Sequence, residues 1–289
     1  MRITFRDVSY TYMIGSPFEK KALDAVNLTL SSQTFTGVVG STGSGKSTLM
    51  QLINGLLLPT TGQVQNGDFI LHRKSKRKYV KQVRRQVGMV FQYPEHQLFG
   101  STVEEDMLFG PKHLGLDIEK SRQRFPDLLE LVGLGEEILP YSPFSLSGGQ
   151  MRRVAIAGVL ATHPKVLILD EPAAGLDPAG HRALLDLLRD WHDQHGLTTV
   201  LVTHDMEDAA RYADEIVVMD EGKPVISGAP TDVFRQADQL AGLGLDVPAS
   251  VRVSRAMQAA GWEVADTLLE PEALAGVVID QLSTVRKEG

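Results

Sequence analysis

A chain of 289 residues, 43% hydrophobic and 22% charged, is ordinary for a soluble globular protein and long enough for one large domain with an appendage or for two modest domains. Its net charge of −7 argues against general binding to nucleic acid or an anionic membrane surface, both of which reward excess Lys and Arg. The absence of cysteine excludes disulfides and thiolate metal sites and leaves a reducing cytoplasm as the default setting, and no stretch approaches the roughly 20 uninterrupted apolar residues of a bilayer span.

From Arg2 to about Leu30, short alternating runs (ITFRDVSYTY and ALDAVNLTL) separated by the turn-rich IGSPFEK predict antiparallel strands, and the opening residues lack the apolar core of a signal peptide. FTGVVG is an apolar run ending in glycine, and STLMQLINGLL has helical spacing, so a strand, a loop and a helix follow. Residues 92–162 are mostly helical by pattern, in TVEEDMLFGPKHLG, IEKSRQRFPDLLELVGLG and GGQMRRVAIAGVLATHP, and predict an inserted helical subdomain. Strands return as KVLILD, TTVLVTH and EIVVMDEG with helices HRALLDLLRDWHDQH and MEDAARYAD between them, the pattern of a parallel sheet covered on both faces. After GAPTDVFRQ a tail carries three helix-like pieces, around Thr231–Leu240, Pro248–Ala260 and Pro271–Val285. Its apolar positions Val251, Met257, Trp262, Leu268, Leu269, Leu274, Val277, Val278 and Leu282 are too many for a disordered linker and predict packing, on its own domain or on another subunit.

GSTGSGKS fits the phosphate-loop spacing between an apolar strand and a helix. Gly40, Ser41, Thr42, Gly43, Ser44 and Gly45 let backbone amides converge on phosphate oxygens at a helix N-terminus, Lys46 is placed to reach the β- and γ-phosphates, Ser47 to ligate Mg²⁺, and Thr48 follows in the helix. VLILDEP is an apolar strand ending in Asp170, a second Mg²⁺ anchor, followed by Glu171, which can polarise an attacking water as general base. LSGGQ, by itself, reads as a helix cap in which Ser147 accepts from an amide, the glycines let the chain turn and the following arginines are solvated.

A phosphate loop, LSGGQ, LILDEP, AGLD (Ala174–Asp177) and VTHD (Val202–Asp205), in this order over roughly Ile3 to Phe234, resemble the nucleotide-binding subunit of an ATP-binding cassette transporter. The resemblance implies an α/β phosphate-loop fold with a mixed, mostly parallel core sheet, an antiparallel β-subdomain, a helical subdomain at about 92–162, a nucleotide-binding domain over 1–235 and a C-terminal helical extension over 236–289. It implies ATP and Mg²⁺ as cofactors and a head-to-tail dimer, with Ser147, the amides of Gly148 and Gly149, and Gln150 acting on a nucleotide held by the second subunit. Gln92 in VGMVFQYPE resembles the glutamine that contacts Mg²⁺ and the water, His204 the histidine that contacts the γ-phosphate, and Asp177 the acidic residue that couples the two sites along the interface. Tyr12 resembles the aromatic that stacks on adenine, with Tyr10 as the competing residue because IGSPFEK stretches the spacing.

YPEHQLF, DEPAAGLDPAG and GLGLDVP further resemble the paired ATPases of energy-coupling-factor importers of vitamins and transition-metal ions, more closely the second of the pair. That resemblance implies a peripheral protein on the cytoplasmic face of the cell membrane whose partners are a second, paralogous or identical ATPase, a transmembrane scaffold engaged through YPEHQLF, and a small membrane substrate-binding protein, with no nucleic acid. The rival readings are the ATPase of an ordinary importer and a soluble regulatory ATPase. The basic run His72–Lys78 reads as a solvated loop, and His192 and His195 as a solvated helix face with no metal.

Overall fold

The structure is a computed structural model that describes residues 1–265, 269 and 271–288, with side chains to residue 280. β1 (Ile3–Tyr12) and β2 (Lys20–Leu30) pair antiparallel, with Ile3 opposite Leu30 and Tyr12 opposite Lys20. β3 (Phe35–Val39) is buried throughout and feeds the phosphate loop and α1 (Lys46–Ile53). β4 (Thr61–Asn66) and β5 (Phe69–Leu71) complete a four-stranded antiparallel sheet of order β2-β1-β4-β5. The pattern of alternation did not single out β4 and β5, because TGQVQN and FIL offer too few apolar positions to show a period.

α2 (Arg77–Arg84) leads into β6 (Val87–Val90) and a 3-10 turn, Pro94–Gln97. The helical subdomain follows as α3 (Val103–Leu114), α4 (Ile118–Arg122), α5 (Phe125–Leu131) and α6 (Gly148–Leu160). β7 (Val166–Asp170), α7 (Pro178–His195), β8 (Thr198–Val202), α8 (Met206–Tyr212), β9 (Glu215–Asp220) and β10 (Lys223–Gly228) return to the core. The second sheet has the order β10-β9-β3-β8-β7-β6, parallel except for the β9–β10 hairpin. Its central strands are buried along nearly their whole length and rich in Val, Leu and Ile, with Thr36, Thr198 and Thr199 buried among them, because helices or the other sheet cover both faces; each fully buried Val, Leu or Ile contributes roughly 1.5–3 kcal/mol relative to exposure.

Register aligns the carboxyl ends: Val38 lies opposite Val202, and Asp170 opposite Val202. The phosphate loop, Asp170–Glu171 and Thr203–His204 therefore leave the sheet along one edge, where open parallel sheets place their ligands.

The tail begins as two short helices, α9 (Pro230–Phe234) and α10 (Ala237–Gly242), where one piece was expected, and continues as α11 (Ala249–Ala259) and α12 (Pro271–Glu288). Phe234, Leu240 and Val251 are buried with Val39, Ile216 and Val218 of the core sheet, so the first half of the tail packs on its own domain. Met257, Trp262, Val277 and Val278 are half-buried, Leu274 is buried and Leu269 packs against the same cluster; Leu268 and the side chain of Leu282 lie outside the described residues. His72–Lys78 is solvated apart from a half-buried Ser75, with Arg77 and Lys78 already helical. His192 departs from the expected solvated face: it is buried, bonded at 2.9 Å to Thr199 and set edge-on to Phe35. The 18-residue α7 turns that side inward against β8 and β3, which three-residue spacing alone does not reveal.

Candidate nucleotide site

The phosphate loop is shaped by its neighbours. Gly40 adopts φ 150°, and a methyl group there would collide with the Met219 carbonyl; Gly45 adopts φ 104°, with the Ala22 carbonyl 2.7 Å from where a Cβ would lie. Lys46 bends back so that its Nζ donates to the carbonyl oxygens of Gly40 (2.7 Å) and Ser41 (2.8 Å). Burial lowers its pKa, against the opposing pull of Glu171 and Asp170. Burial likewise raises that of Asp170, with Glu171 adding and Lys46 opposing. Two adjoining carboxylates with one lysine between them leave a net negative spot, which suits a divalent cation.

Glu171 is the centre of the site. Its backbone sits at φ 47°, a left-handed conformation that costs a non-glycine residue roughly 1–2 kcal/mol. Its amide donates to Val202 O at 3.0 Å, which holds the turn against β8. Its Oε2 accepts from Gln92 Nε2 and its Oε1 meets His204 Nδ1, each at 2.9 Å. A carboxylate offers about four lone-pair positions, so room remains for a water. Gln92 arrives from the end of β6 and His204 from the end of β8, so three elements converge on one carboxylate.

Tyr12 ends β1 with its hydroxyl 3.1 Å from Thr48 Oγ1, next to the phosphate-loop helix. Tyr10 meets it edge-on at 4.7 Å, but packs against the strand-rich core. Of the two rings, Tyr12 is the one attached to the phosphate-loop helix.

Ser147, Gly148, Gly149 and Gln150 stand apart: none lines either of the cavities that contain Glu171. Ser147 caps α6 in a reciprocal capping box, its Oγ accepting from Gln150 N at 3.3 Å and its amide donating to Gln150 Oε1 at 3.0 Å. Gln150 is thereby committed to the cap. The Ser147 hydroxyl keeps its own proton to donate, and Gly148 and Gly149 are exposed first residues of α6, whose amides have no partner within the helix. Asp177 also lies outside those cavities and caps α7, accepting from Ala179 and Gly180 amides at 3.0 Å; the Gly180 amide, then that of Ala179, holds its carboxyl below the ordinary range.

Two side chains carry more than their motifs indicated. Arg152, read as solvated, is only 4% exposed: its Nε and Nη2 clasp Glu95 at 2.9 and 2.7 Å, and its Nη1 donates to Ala174 O at 2.7 Å. Burial acts to raise the Glu95 carboxyl, yet the bonds from Arg152 prevail and its pKa falls. The Glu-Arg pair thus links the turn after Gln92 to the helix that starts at LSGGQ. Its only trace in the sequence is an acid in YPEHQLF and a base in GGQMRR, 57 residues apart. Behind Glu171, His181 Nε2 lies 2.8 and 2.9 Å from the two oxygens of Asp208 and ties α7 to α8.

A phosphate loop at the switch edge of a mixed sheet, an Asp-Glu strand end and a capped helix on an inserted subdomain define a cassette-type nucleotide-binding protein. The ABC transporter family profile matches residues 23–174. The energy-coupling factor transporter ATP-binding protein EcfA2 of Geobacillus kaustophilus is 51% identical over 258 residues, 89% of each chain, and that of Bacillus licheniformis 49% over the same share. Among solved structures, cbiO1 of Clostridium perfringens, part of the ABC transporter complex cbiONQ, superposes with a TM-score of 0.71 at 35% identity over 83% of this chain and 93% of that one. A dimeric ATP-binding cassette, MJ0796, bound to ADP and Pi gives 0.69 at 30% identity over 79% and 98%. The chain belongs to the ABC transporter family, within its group of energy-coupling factor transporter ATP-binding proteins.

Proposed function

We propose that the chain binds and hydrolyses ATP to power an energy-coupling-factor importer, working as one half of a head-to-tail ATPase dimer on a transmembrane scaffold. The observation that carries this reading is the convergence of Gln92 and His204 on Glu171 beside the phosphate loop. Lys46, released from the Gly40 and Ser41 carbonyls, binds the β- and γ-phosphates, with the amides of residues 41–48 around them. Ser47, Asp170 and Gln92 offer hydroxyl, carboxylate and amide oxygens, a hard donor set suited to Mg²⁺, which neutralises charge on the phosphates when bound. Glu171 takes the proton of the attacking water, Gln92 fixes the carboxylate, and His204 joins it to the γ-phosphate side. The Ser147 hydroxyl and the Gly148 and Gly149 amides close on the partner's γ-phosphate, and Asp177 lies along the same interface.

The membrane side of the reading is supported by a groove of about 310 Å³ between the core and the helical subdomain, rimmed by Phe99 and Phe109 in edge-on contact at 4.7 Å. Phe99 follows YPEHQL and is 61% exposed, an apolar ring in a position to receive a helix of the scaffold. No helix among the described residues is long and apolar enough to cross a membrane, which fits a peripheral subunit held on the cytoplasmic face. Residues 1–235 form the nucleotide-binding domain and 236–289 the extension, with a second ATPase and a small substrate-binding membrane protein completing the assembly. Co-expression with neighbouring genes, detergent solubilisation and mass identification of what a tag on this chain retains is the test. Recovery of a second ATPase and two membrane proteins supports the reading; a chain recovered alone removes the transporter assignment while leaving hydrolysis to be measured separately.

A further inference from the structure

The larger cavity beside Glu171, about 910 Å³, has walls from distant parts of the chain. Its lining includes Ser41 and Lys46 of the phosphate loop, Glu171 and His204, and Asp246 and Arg252 of the C-terminal extension. Lys46 and Arg252 are the only Lys or Arg side chains among its lining residues. The extension is fixed in place here rather than trailing past. Val251 is fully buried in the core, and the Ala249 amide donates to Glu207 Oε1 at 2.6 Å, which pins the first turn of α11 to the first turn of α8, three residues beyond His204. Arg252, next in sequence to the anchored Val251, therefore points from a fixed base.

Its partner is a neighbour on the same wall. Arg252 Nη1 donates to Asp246 Oδ2 at 2.7 Å, while Asp246 Oδ1 accepts from the Val247 amide at 2.8 Å. The other acids of the cavity are committed elsewhere: Glu171 to Gln92 and His204, Asp205 to the Glu207 amide, Glu207 to Ala249. The side chains of Arg252 and Asp246 are 59% and 70% exposed. A pair so wetted contributes little to stability, and a planar guanidinium prefers the doubly charged, three-oxygen end of a nucleoside triphosphate to a single carboxylate.

We propose that Arg252 is a γ-phosphate ligand supplied by the C-terminal extension to the nucleotide of its own chain, and that Asp246 is the resident anion it leaves when ATP enters. This rests on the reading of the Lys46–Glu171 cavity as the ATP site. It gives the extension a task at the reaction centre: the triphosphate is told from the diphosphate by a side chain outside the five motifs. It also requires the two members of the pair to have opposite effects. Removing Arg252 deletes a bond to the γ-phosphate, whereas neutralising Asp246 frees Arg252 and removes a competing charge.

The test is titration of the purified full-length chain with fluorescent ATP and ADP analogues, comparing wild type with R252A, R252K and D246N, each first checked for an unchanged melting temperature. R252A should weaken ATP about tenfold or more, the worth of one charge-assisted hydrogen bond, and leave ADP within about twofold. R252K should restore part of the ATP affinity, and D246N, which keeps an acceptor for the Val247 amide, should tighten ATP severalfold. Parallel weakening of ATP and ADP, an unchanged R252A, or a D246N variant that weakens ATP as R252A does would overturn the inference, the first and last by assigning the pair a merely structural role. If R252A does not fold, R252Q takes its place with the same expectations. Failure of the wild-type chain to bind either nucleotide would instead overturn the ATP-site reading beneath it.

Discussion

Glu171 holds its left-handed backbone because its amide is tied to Val202 and its carboxylate is gripped from both sides by Gln92 and His204. Converting it to the amide keeps the shape and a hydrogen-bond acceptor but removes the carboxylate proposed as the base. Glu171→Gln should lower phosphate release by roughly two to four orders of magnitude, the usual worth of a positioned general base, while ATP-bound dimer accumulates on size-exclusion; full steady-state hydrolysis would remove Glu171 from its role. Arg152 makes a different kind of prediction. Deleting one partner of a buried, forked ion pair leaves the other charge stranded, so Arg152→Ala should cost roughly 3–5 kcal/mol of stability in denaturant titrations, and Arg152→Lys should recover little because an ammonium cannot span both Glu95 oxygens and the Ala174 carbonyl. His192 sets a pH dependence. Burial first, then Arg189, depresses its pKa, so the folded chain binds fewer protons than the unfolded one below about pH 6.5, and stability falls as the solution is acidified through that value. His192→Gln should flatten that slope in melting curves, and an unchanged slope would place the effect elsewhere.

At the scale of the element, α6 separates two functions of one residue. Ser147 stabilises the helix as an acceptor and is assigned to the partner's phosphate as a donor. Ser147→Ala should cost about 1 kcal/mol of stability, the ordinary value of a lost cap, together with most of the turnover. Ser147→Asp should keep the cap and the stability but set a negative charge against the phosphate, so activity is lost from a well-folded protein. Equal activity in the two variants relative to their stabilities would mean that the serine only caps. The strands and long helices of this chain were legible because their apolar runs have clear periods, and the phosphate loop, Asp170 and Glu171 because their chemistry sits in contiguous motifs. The short β4 and β5, the break between α9 and α10, and the inward turn of His192 were not, since each depends on what covers it. The Glu95–Arg152 clasp and the Asp246–Arg252 pair lie outside any local pattern: both are made by folding, one across 57 residues and one between the GLGLDVP loop and the first turn of the helix that follows it.

For the whole molecule, the groove proposed to meet the scaffold and the cavities that contain Glu171 share no lining residue, so they can be broken independently. Phe99→Asp should abolish co-purification with membrane partners while the isolated chain retains its ATPase rate to within about twofold, because Phe99 is exposed and its ring rests edge-on against Phe109, away from Glu171. Loss of both together would indicate that the subdomain had unfolded. The buried clasp between Glu95 and Arg152 sets a final condition on how such a molecule behaves in company. Glu95 stands three residues beyond Gln92, and Arg152 three beyond Gly149, so the residue proposed to meet the chain's own nucleotide and the helix end proposed to face its neighbour are joined by one forked ion pair. On the dimer reading proposed above, such a subunit has no private transactions: a shift registered at its own Gln92 is carried through the clasp into the aim of the surface it presents next door.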